Sequence, residues 1–212
     1  MGDGVRVYLA RHGETTWNLA GRYQGRRESA LTALGMQQAF ALADAMRDRA
    51  IGRIVSSPLV RCSATAKPTA ERLNLEVELD DRLLEIEHGT WNGRLRDEIA
   101  ANDPERYRAW RASPATVAFE GGETLGQVRE RWRAFAASFL PESPALVVTH
   151  DAVVRVALVE ILGRELDAFW DVRVENGAFA ILERDRDGWT LVEECENAHL
   201  GALRATIEAQ AL

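Results

Sequence analysis

The sequence predicts an α/β fold: a three-layer sandwich whose helices flank a mostly parallel central sheet, with a small lid or insert over the carboxyl ends of the strands. Two observations predict it. Short segments rich in β-branched and apolar residues alternate with helix-length segments along the chain, the pattern of a sheet covered on both faces. One short segment, Ala145-Leu146-Val147-Val148-Thr149, is almost continuously apolar, as a strand buried on both sides must be.

The elements follow in order. Val5-Arg6-Val7-Tyr8-Leu9 reads as a first strand that polarity and a glycine end at Ala10-Arg11-His12-Gly13-Glu14. Thr32 is placed to cap a helix reaching about Arg49, with Leu34, Ala41, Leu42, Ala45 and Met46 near helical spacing. Ile54-Val55-Ser56-Ser57 reads as a second strand, and Pro58 suits the first turn of the helix after it. Leu75-Glu76-Val77-Glu78-Leu79 alternates, as a third strand does. Residues 81–122 mix charges, aromatics, glycines and prolines, with two short helices expected near 95–102 and 104–111. This stretch is a lid-like segment inside a single domain spanning 1–212, since it is too poorly patterned for a domain of its own. Gly121-Gly122 leads into a long helix over about 123–140, the buried strand follows, and a helix over about 152–162 comes next. Ala178-Phe179-Ala180-Ile181-Leu182 and Trp189-Thr190-Leu191-Val192 complete the sheet around a turn at Asp187-Gly188.

Composition narrows the function. The 212 residues are 46% hydrophobic and carry a formal net charge of -7. An acidic surface argues against general binding to nucleic acid or an anionic membrane, both of which need a basic face. It leaves room for an anionic small substrate, because a local arginine cluster dominates within a Debye length of about 8 Å. No apolar run approaches a membrane span, and no secretory signal is apparent. The N-terminal Met1-Gly2-Asp3 sequence is not followed by the Ser or Thr of a myristoylation signal. Two cysteines, Cys62 and Cys195, make no disulfide framework. The expectation is a reduced, cytoplasmic protein. The apolar strands near the C-terminus are suited to edge pairing, so a homodimer is the assembly to look for.

Three polar clusters sit where strands end: Arg11-His12-Gly13, Ser56-Ser57-Pro58-Leu59-Val60-Arg61 and Thr149-His150-Asp151. In open α/β sheets ligands bind outside the carboxyl ends of the strands, so distant segments would bring two histidines and two arginines to one mouth. A neutral imidazole can attack phosphorus and split one difficult displacement into two. Two guanidiniums can hold the equatorial oxygens, and a second imidazole adds a donor. No metal or other cofactor is then required, and no Cys, His or acidic set has convincing zinc spacing. Glu85, within Leu84-Glu85-Ile86-Glu87-His88-Gly89-Thr90-Trp91, is a carboxylate among apolar residues, where burial raises a carboxyl pKa and nearby arginines lower it. Taken singly, each of these residues reads as readily as a solvated charge or a satisfied core group.

Taken together, the ordered motifs carry more. Arg11-His12-Gly13-Glu14-Thr15-Thr16-Trp17-Asn18, then Tyr23-Gln24-Gly25, Leu31-Thr32-Ala33-Leu34-Gly35, Ser56 to Ala66, Leu84 to Gly93, Gly121-Gly122-Glu123-Thr124 and Val147-Val148-Thr149-His150 resemble, in order, the signatures of the histidine phosphatase superfamily, the phosphoglycerate mutase-like family. The short segment after Trp91-Asn92-Gly93 is similar to that of its broad-specificity phosphatase and α-ribazole-phosphatase branch. The resemblance implies that His12 is the nucleophile, that Arg11, Arg61 and His150 bind the phosphoryl group, and that Glu85 gives a proton to the leaving group and takes one from water. It implies that Asn18, Gln24 and Gly25 line the phosphate or substrate site, with Glu14 supporting the loop. It also implies a small phosphorylated metabolite as substrate and no cofactor.

Two residues depart from the pattern. Asp151 stands where the family often has glycine; a carboxylate there repels a phosphate unless it pairs with an arginine or turns away. Its backbone N–H at a helix start can still face the phosphate, and a helix cap is the expected use of its side chain. His88 stands where an aromatic residue is usual. The resemblance favours a phosphatase, in which water attacks the phosphohistidine, over a mutase that returns the phosphate to a substrate hydroxyl. A non-catalytic phospho-ligand binder is the third alternative, disfavoured because His12, Arg11, Arg61, Glu85 and His150 are all present. Tyr107, Arg108, Trp110 and Arg111 would lie at the rim, where Arg108 or Arg111 could hold a substrate carboxylate or simply line a solvated helix face.

Overall fold

In the computed structural model of the protein, residues 4–205 and 210–211 are described. Met1-Gly2-Asp3 and the extreme ends of the 1–212 span lie outside them. The chain forms β1 (Val5–Arg11), α1 (Thr16–Leu19), α2 (Ala33–Met46), β2 (Arg53–Ser56), α3 (Val60–Leu73), β3 (Val77–Leu79), α4 (Arg96–Asn102), α5 (Pro104–Ala112), α6 (Leu125–Ser138), β4 (Ala145–Thr149), α7 (Asp151–Ile161), β5 (Phe179–Arg184) and β6 (Trp189–Glu196). Short 3-10 turns punctuate the long connections, among them Gly89–Trp91 and Leu166–Asp171. The sheet runs β3-β2-β4-β1-β5-β6. The first four strands in that order are parallel, and β5 and β6 join antiparallel at one edge. The sheet is therefore mixed and mostly parallel.

Period-2 alternation sorts the core into two layers. From β1 and β4, Tyr8, Ala10, Leu146 and Val148 point to one face, where Leu42 and Met46 of α2 and Cys62, Ala66 and Ala70 of α3 cover them. Val7, Leu9, Ala145 and Val147 point to the other, against α6 and α7 through Trp132, Phe135, Val153 and Val156. The segment 81–122 adds buried aromatic bulk to the second layer through Trp91, Trp110 and Phe119.

Several boundaries differ from the sequence expectation. Pro58 precedes α3 instead of opening it: Leu59 is the N-cap, and the Val60 N–H is satisfied by the Glu28 carboxylate at 3.1 Å. Helix α2 stops at Met46, three residues short of Arg49. Strand β3 starts at Val77, because Asn74 closes α3 in a left-handed conformation (φ 53°) and Leu75 donates back to Ala70 O at 3.0 Å. No helix of the described residues is long and apolar enough to cross a membrane.

Candidate active site

Strands β2, β4 and β1 are neighbours and parallel, so their carboxyl ends lie side by side. This is why three distant polar clusters meet. The ladder continues past the strands: the His12 N–H donates to Thr149 O at 3.0 Å and the Ser57 N–H to Val148 O at 2.9 Å. The loop after β1 is pinned from two sides. Gly13 donates to Thr65 Oγ1 on α3 at 3.0 Å, and a side chain at Gly13 would run into Gly35 O at 2.5 Å on α2. Glycine is needed at both positions, since a Cβ on Gly35 would meet Glu14 O at 2.0 Å. Glu14 accepts from the Thr32 hydroxyl at 2.8 Å, which is the supporting role its motif implied.

Four predicted side chains converge and are buried: Arg11, His12, Arg61 and His150. The two imidazoles stand edge to face with centroids 5.2 Å apart. His12 Nδ1 lies 2.7 Å from Gly13 O. A carbonyl only accepts, so Nδ1 carries the proton and the lone pair is on Nε2. Burial holds the His12 pKa well below its ordinary value, and Arg61 and Arg11 push the same way; the ring is neutral. Arg61 is oriented by Gly25 O at 2.7 Å and Arg27 O at 2.9 Å, and its Nε–H donates to His150 Nδ1 at 3.2 Å. A guanidinium only donates, so the His150 proton sits on Nε2, where it donates to Ser57 Oγ at 2.8 Å. Burial, reinforced by Arg61, likewise keeps His150 neutral.

Arg11 is held by Val174 O at 2.8 Å and Gln210 Oε1 at 2.7 Å, while its buried Nε has no partner among the described residues. A donor of this kind beside a cavity invites an oxyanion. Glu85 is buried and accepts from the Ile86 N–H at 2.9 Å. Burial pushes its carboxyl up to about 7, outweighing the opposite pulls of Arg61 and the Ile86 N–H. Glu85 lines one small cavity with Arg11, His12, Asn18, Gln24 and Gly25.

Asn18 and Gln24 also work as scaffolding. Asn18 Oδ1 accepts from the Thr15 N–H at 3.1 Å in a reciprocal cap of α1, and Gln24 Oε1 accepts from Ser29 Oγ at 2.5 Å. Asp151 corrects the capping expectation. His150 is the N-cap of α7, and Asp151, the first helical residue, turns its carboxylate to Arg155 Nε at 2.7 Å and to Arg11 Nη1 at 3.6 Å. Paired with two guanidiniums, it no longer opposes an anion. His88 is buried with neither ring nitrogen partnered among the described residues, edge-on to Tyr23 and Phe119. Arg108 bends back to Pro104 O at 3.1 Å, whereas Arg111 lines a cleft next to Arg11.

Sequence reading missed Ser57 as a partner of His150, Thr65 as an anchor of the Gly13 loop, and Arg155, Asn176 and Gln210. Asp151 and Arg155 are four apart on one helix, a legible ion-pair spacing. Asn176-Gly177 is a turn dipeptide; the Asn176 amide donates to His12 O at 3.2 Å. Gln210 carried no signal. Among the described residues no group of three or more His, Cys, Asp or Glu side chains is arranged to hold a metal ion.

Known proteins resemble this chain over most of its length. Residues 7–197 match the model of the histidine phosphatase superfamily (branch 1). The chain is 34% identical over 200 residues to phosphoserine phosphatase 1 of Hydrogenobacter thermophilus, covering 93% of this chain and 95% of that protein. It is 33% identical over 188 residues to a probable phosphoglycerate mutase of Erwinia tasmaniensis, covering 87% of each. The solved α-ribazole phosphatase from Shigella flexneri superposes with a TM-score of 0.81 at 28% identity, over 91% of this chain and 96% of that one. A phosphatase or mutase-type enzyme is the class these relatives share, and the chain belongs to the histidine phosphatase superfamily.

Proposed function

We propose that the protein is a phosphatase that hydrolyses small phosphomonoesters through a phosphohistidine on His12, without a metal ion, and that it works in the cytoplasm. The observation that carries the reading is the state of His12: a buried, neutral imidazole, its Nδ1–H tied to Gly13 O, with the Nε2 lone pair without a partner among the described residues and Arg11 and Arg61 close by. In the first step Nε2 attacks phosphorus, a P–N bond forms and the ester P–O bond breaks. Arg11 and Arg61 stabilise the charge on the equatorial oxygens, and the His150 Nε2–H joins them by exchanging its Ser57 Oγ acceptor for a phosphoryl oxygen. The protonated Glu85 carboxyl gives its proton to the departing alkoxide. In the second step the Glu85 carboxylate takes a proton from water, hydroxide displaces His12 from phosphorus, and inorganic phosphate leaves. A pKa of about 7 suits a group that must be acid in one step and base in the next. The cytoplasmic placement is supported by two free cysteines, one of them fully buried.

The relatives leave a mutase as the competing reading. Both share the first step and differ in what receives the phosphoryl group. Rapid quench after mixing with radiolabelled ester should trap an acid-labile phosphoenzyme that decays to inorganic phosphate in water, and His12→Ala should abolish both the trapped species and turnover of an aryl phosphate. A phosphoenzyme that persists until a phosphoglycerate is added would establish the mutase. Turnover of the His12→Ala protein at more than a small fraction of the wild-type rate would remove His12 from the mechanism.

A further inference from the structure

The stretch of chain that carries Glu85 is clamped by residues outside the phosphoryl cavity. Glu123, the residue before the N-cap of α6, makes a reciprocal pair of hydrogen bonds with it: the Glu87 N–H donates to Glu123 Oε2 at 3.0 Å, and the Glu123 N–H donates to Glu87 O at 2.8 Å. The same carboxylate pairs with two guanidiniums through Oε1, Arg26 Nη2 at 2.8 Å and Arg131 Nε of α6 at 3.2 Å. Each guanidinium reaches back to the Glu85 stretch. Arg131 Nη1 donates to Arg82 O at 2.8 Å, and Arg26 Nε to Glu85 O at 3.4 Å. One ion cluster therefore grips the chain on both sides of Glu85. The approach is also close: a side chain on Gly122 would run into Glu87 O, and one on Gly89 into Glu120 O.

The cluster bears on the charge of Glu85 as well as on its place. Burial pushes the Glu85 carboxyl up to about 7, and Arg61 of α3 and Arg131 of α6 are among the influences that pull against burial. Arg11 of β1 acts in the same sense as Arg61, and Asp151 of α7 in the opposite one. Glu87 commits its carboxylate to the Gly89 N–H at 3.0 Å and to the Asn92 amide. His12 and His88, which share the cavity with Glu85, are held neutral by burial, and burial keeps the Cys62 thiol protonated. Burial also works against the charge of Arg131, and Glu123 is the largest influence that sustains it.

We propose that Glu123 is a positioning residue for Glu85: it closes a clamp with Arg26 and Arg131 that fixes the 82–87 stretch and offsets the positive charge of both guanidiniums near the acid–base carboxyl. This deepens the phosphatase reading and rests on it. Two guanidiniums and one carboxylate leave the clamp with a single positive charge. Without the carboxylate the positive charge doubles, and the Glu85 proton is drawn off at lower pH. Without Arg26 the clamp is neutral, and the proton stays on to higher pH.

The test follows kcat/KM against pH for phenyl phosphate, whose departing oxygen needs a proton. p-Nitrophenyl phosphate, whose leaving group needs none, measures general damage in each variant. For phenyl phosphate the wild-type alkaline limb bends near 7, where Glu85 loses its proton. Glu123→Gln keeps an acceptor and loses the charge. Its bend should fall by about half to one pH unit, which lowers kcat/KM by about three- to tenfold at pH 8 and by less than about twofold at pH 6. Arg26→Gln, at an exposed position where folding is not at stake, should move the bend above 7. Glu123→Gln/Arg26→Gln regains the wild-type charge and should bring the bend back towards 7. A bend that stays in place in both single variants, or moves to the same side in both, would overturn the clamp and leave the phosphatase standing. No phosphate release from either ester would overturn the phosphatase reading, and a wild-type profile without the bend the role of Glu85; the clamp falls with either.

Discussion

Glu85 gives the sharpest prediction, because one environment sets both a pH limb and a stability change. Burial holds its carboxyl at about 7 against an ordinary 4.5. If the protonated form is the acid in the first step, kcat/KM for an alkyl phosphate follows the protonated fraction: about one half at pH 7, roughly 9% at pH 8 and roughly 1% at pH 9. The expected alkaline limb therefore bends near 7 and falls tenfold per pH unit. On the acid side His12 is already neutral, so a decline below about pH 6 reports the second ionisation of the substrate phosphate instead. In Glu85→Gln the limb should vanish. kcat/KM for an alkyl ester should drop by about 10² to 10⁴, and that for p-nitrophenyl phosphate, whose leaving group needs no proton, by much less. Stability moves the other way. Below pH 4.5 the carboxyl is protonated folded or unfolded and makes no difference. As pH rises from 4.5 to about 7 the folded state alone keeps the proton, so stability is lost; above 7 the loss is constant at about 3 kcal/mol. Glu85→Gln should accordingly melt several degrees higher than wild type at pH 8, with little difference at pH 4.5. An alkaline limb that persists unchanged in Glu85→Gln, or a variant less stable than wild type at pH 8, would refute the assignment.

Two further predictions concern histidines. His88 has both nitrogens buried and, among the described residues, unpartnered, and burial alone pulls its pKa down to about 3, so folded-state stability falls as pH drops below 6.5 and continues to fall towards 3. His88→Phe should raise stability by about 1–2 kcal/mol at pH 7 and by more at pH 5, read by denaturant titration at both values; equal effects at the two pH values would contradict it. Ser57 is a positioning residue that keeps the His150 Nε2–H in place. Ser57→Ala should lower kcat/KM about tenfold and broaden the tautomer signature of His150 in nitrogen NMR, with Ser57→Thr restoring both; an unchanged spectrum would remove Ser57 from the network.

How much was legible depends on what kind of force fixes a feature. Strand β4 was read with its observed bounds because five consecutive buried residues leave no other reading. The convergence of Arg11, Arg61 and His150 on His12 followed from their place at strand ends, which a parallel sheet brings together. What escaped was set by contacts without a sequence period. Helix α1 is four residues long, too short to show one, and is held by the Thr15–Asn18 cap. Strand β6 runs on to Glu196 through charged residues because β5 offers a ladder, whatever their propensity. Gln210 reaches Arg11 across 199 positions, and nothing local encodes that. The capping assignment of Asp151 failed for a related reason. A helix-start acid meets backbone N–H groups by default, but here two guanidiniums lie closer to hand and a charged pair outcompetes a neutral donor.

The same pairing explains how an acid can stand in a phosphate site. Five guanidiniums line the cleft that Arg11 shares with the phosphoryl cavity, and two of them, Arg11 and Arg155, are buried, which is costly without a counter-charge. Burial already lowers the pKa of Arg11, which marks the strain of holding it charged, and Asp151 is the largest influence restoring it. Arg155 is fixed in turn by Phe169 O and Val172 O, so the carboxylate cannot swing towards the phosphorus. Glycine at this position would leave Arg11 and Arg155, the latter stacked on Phe169 and Trp170, to repel each other without the carboxylate they share. The acid therefore makes the arginine cluster tolerable in the unliganded enzyme. It does so beside Arg11 and Arg155, while Arg61 is held by the Gly25 and Arg27 carbonyls and by His150, and among the described residues the cleft keeps more guanidiniums than carboxylates.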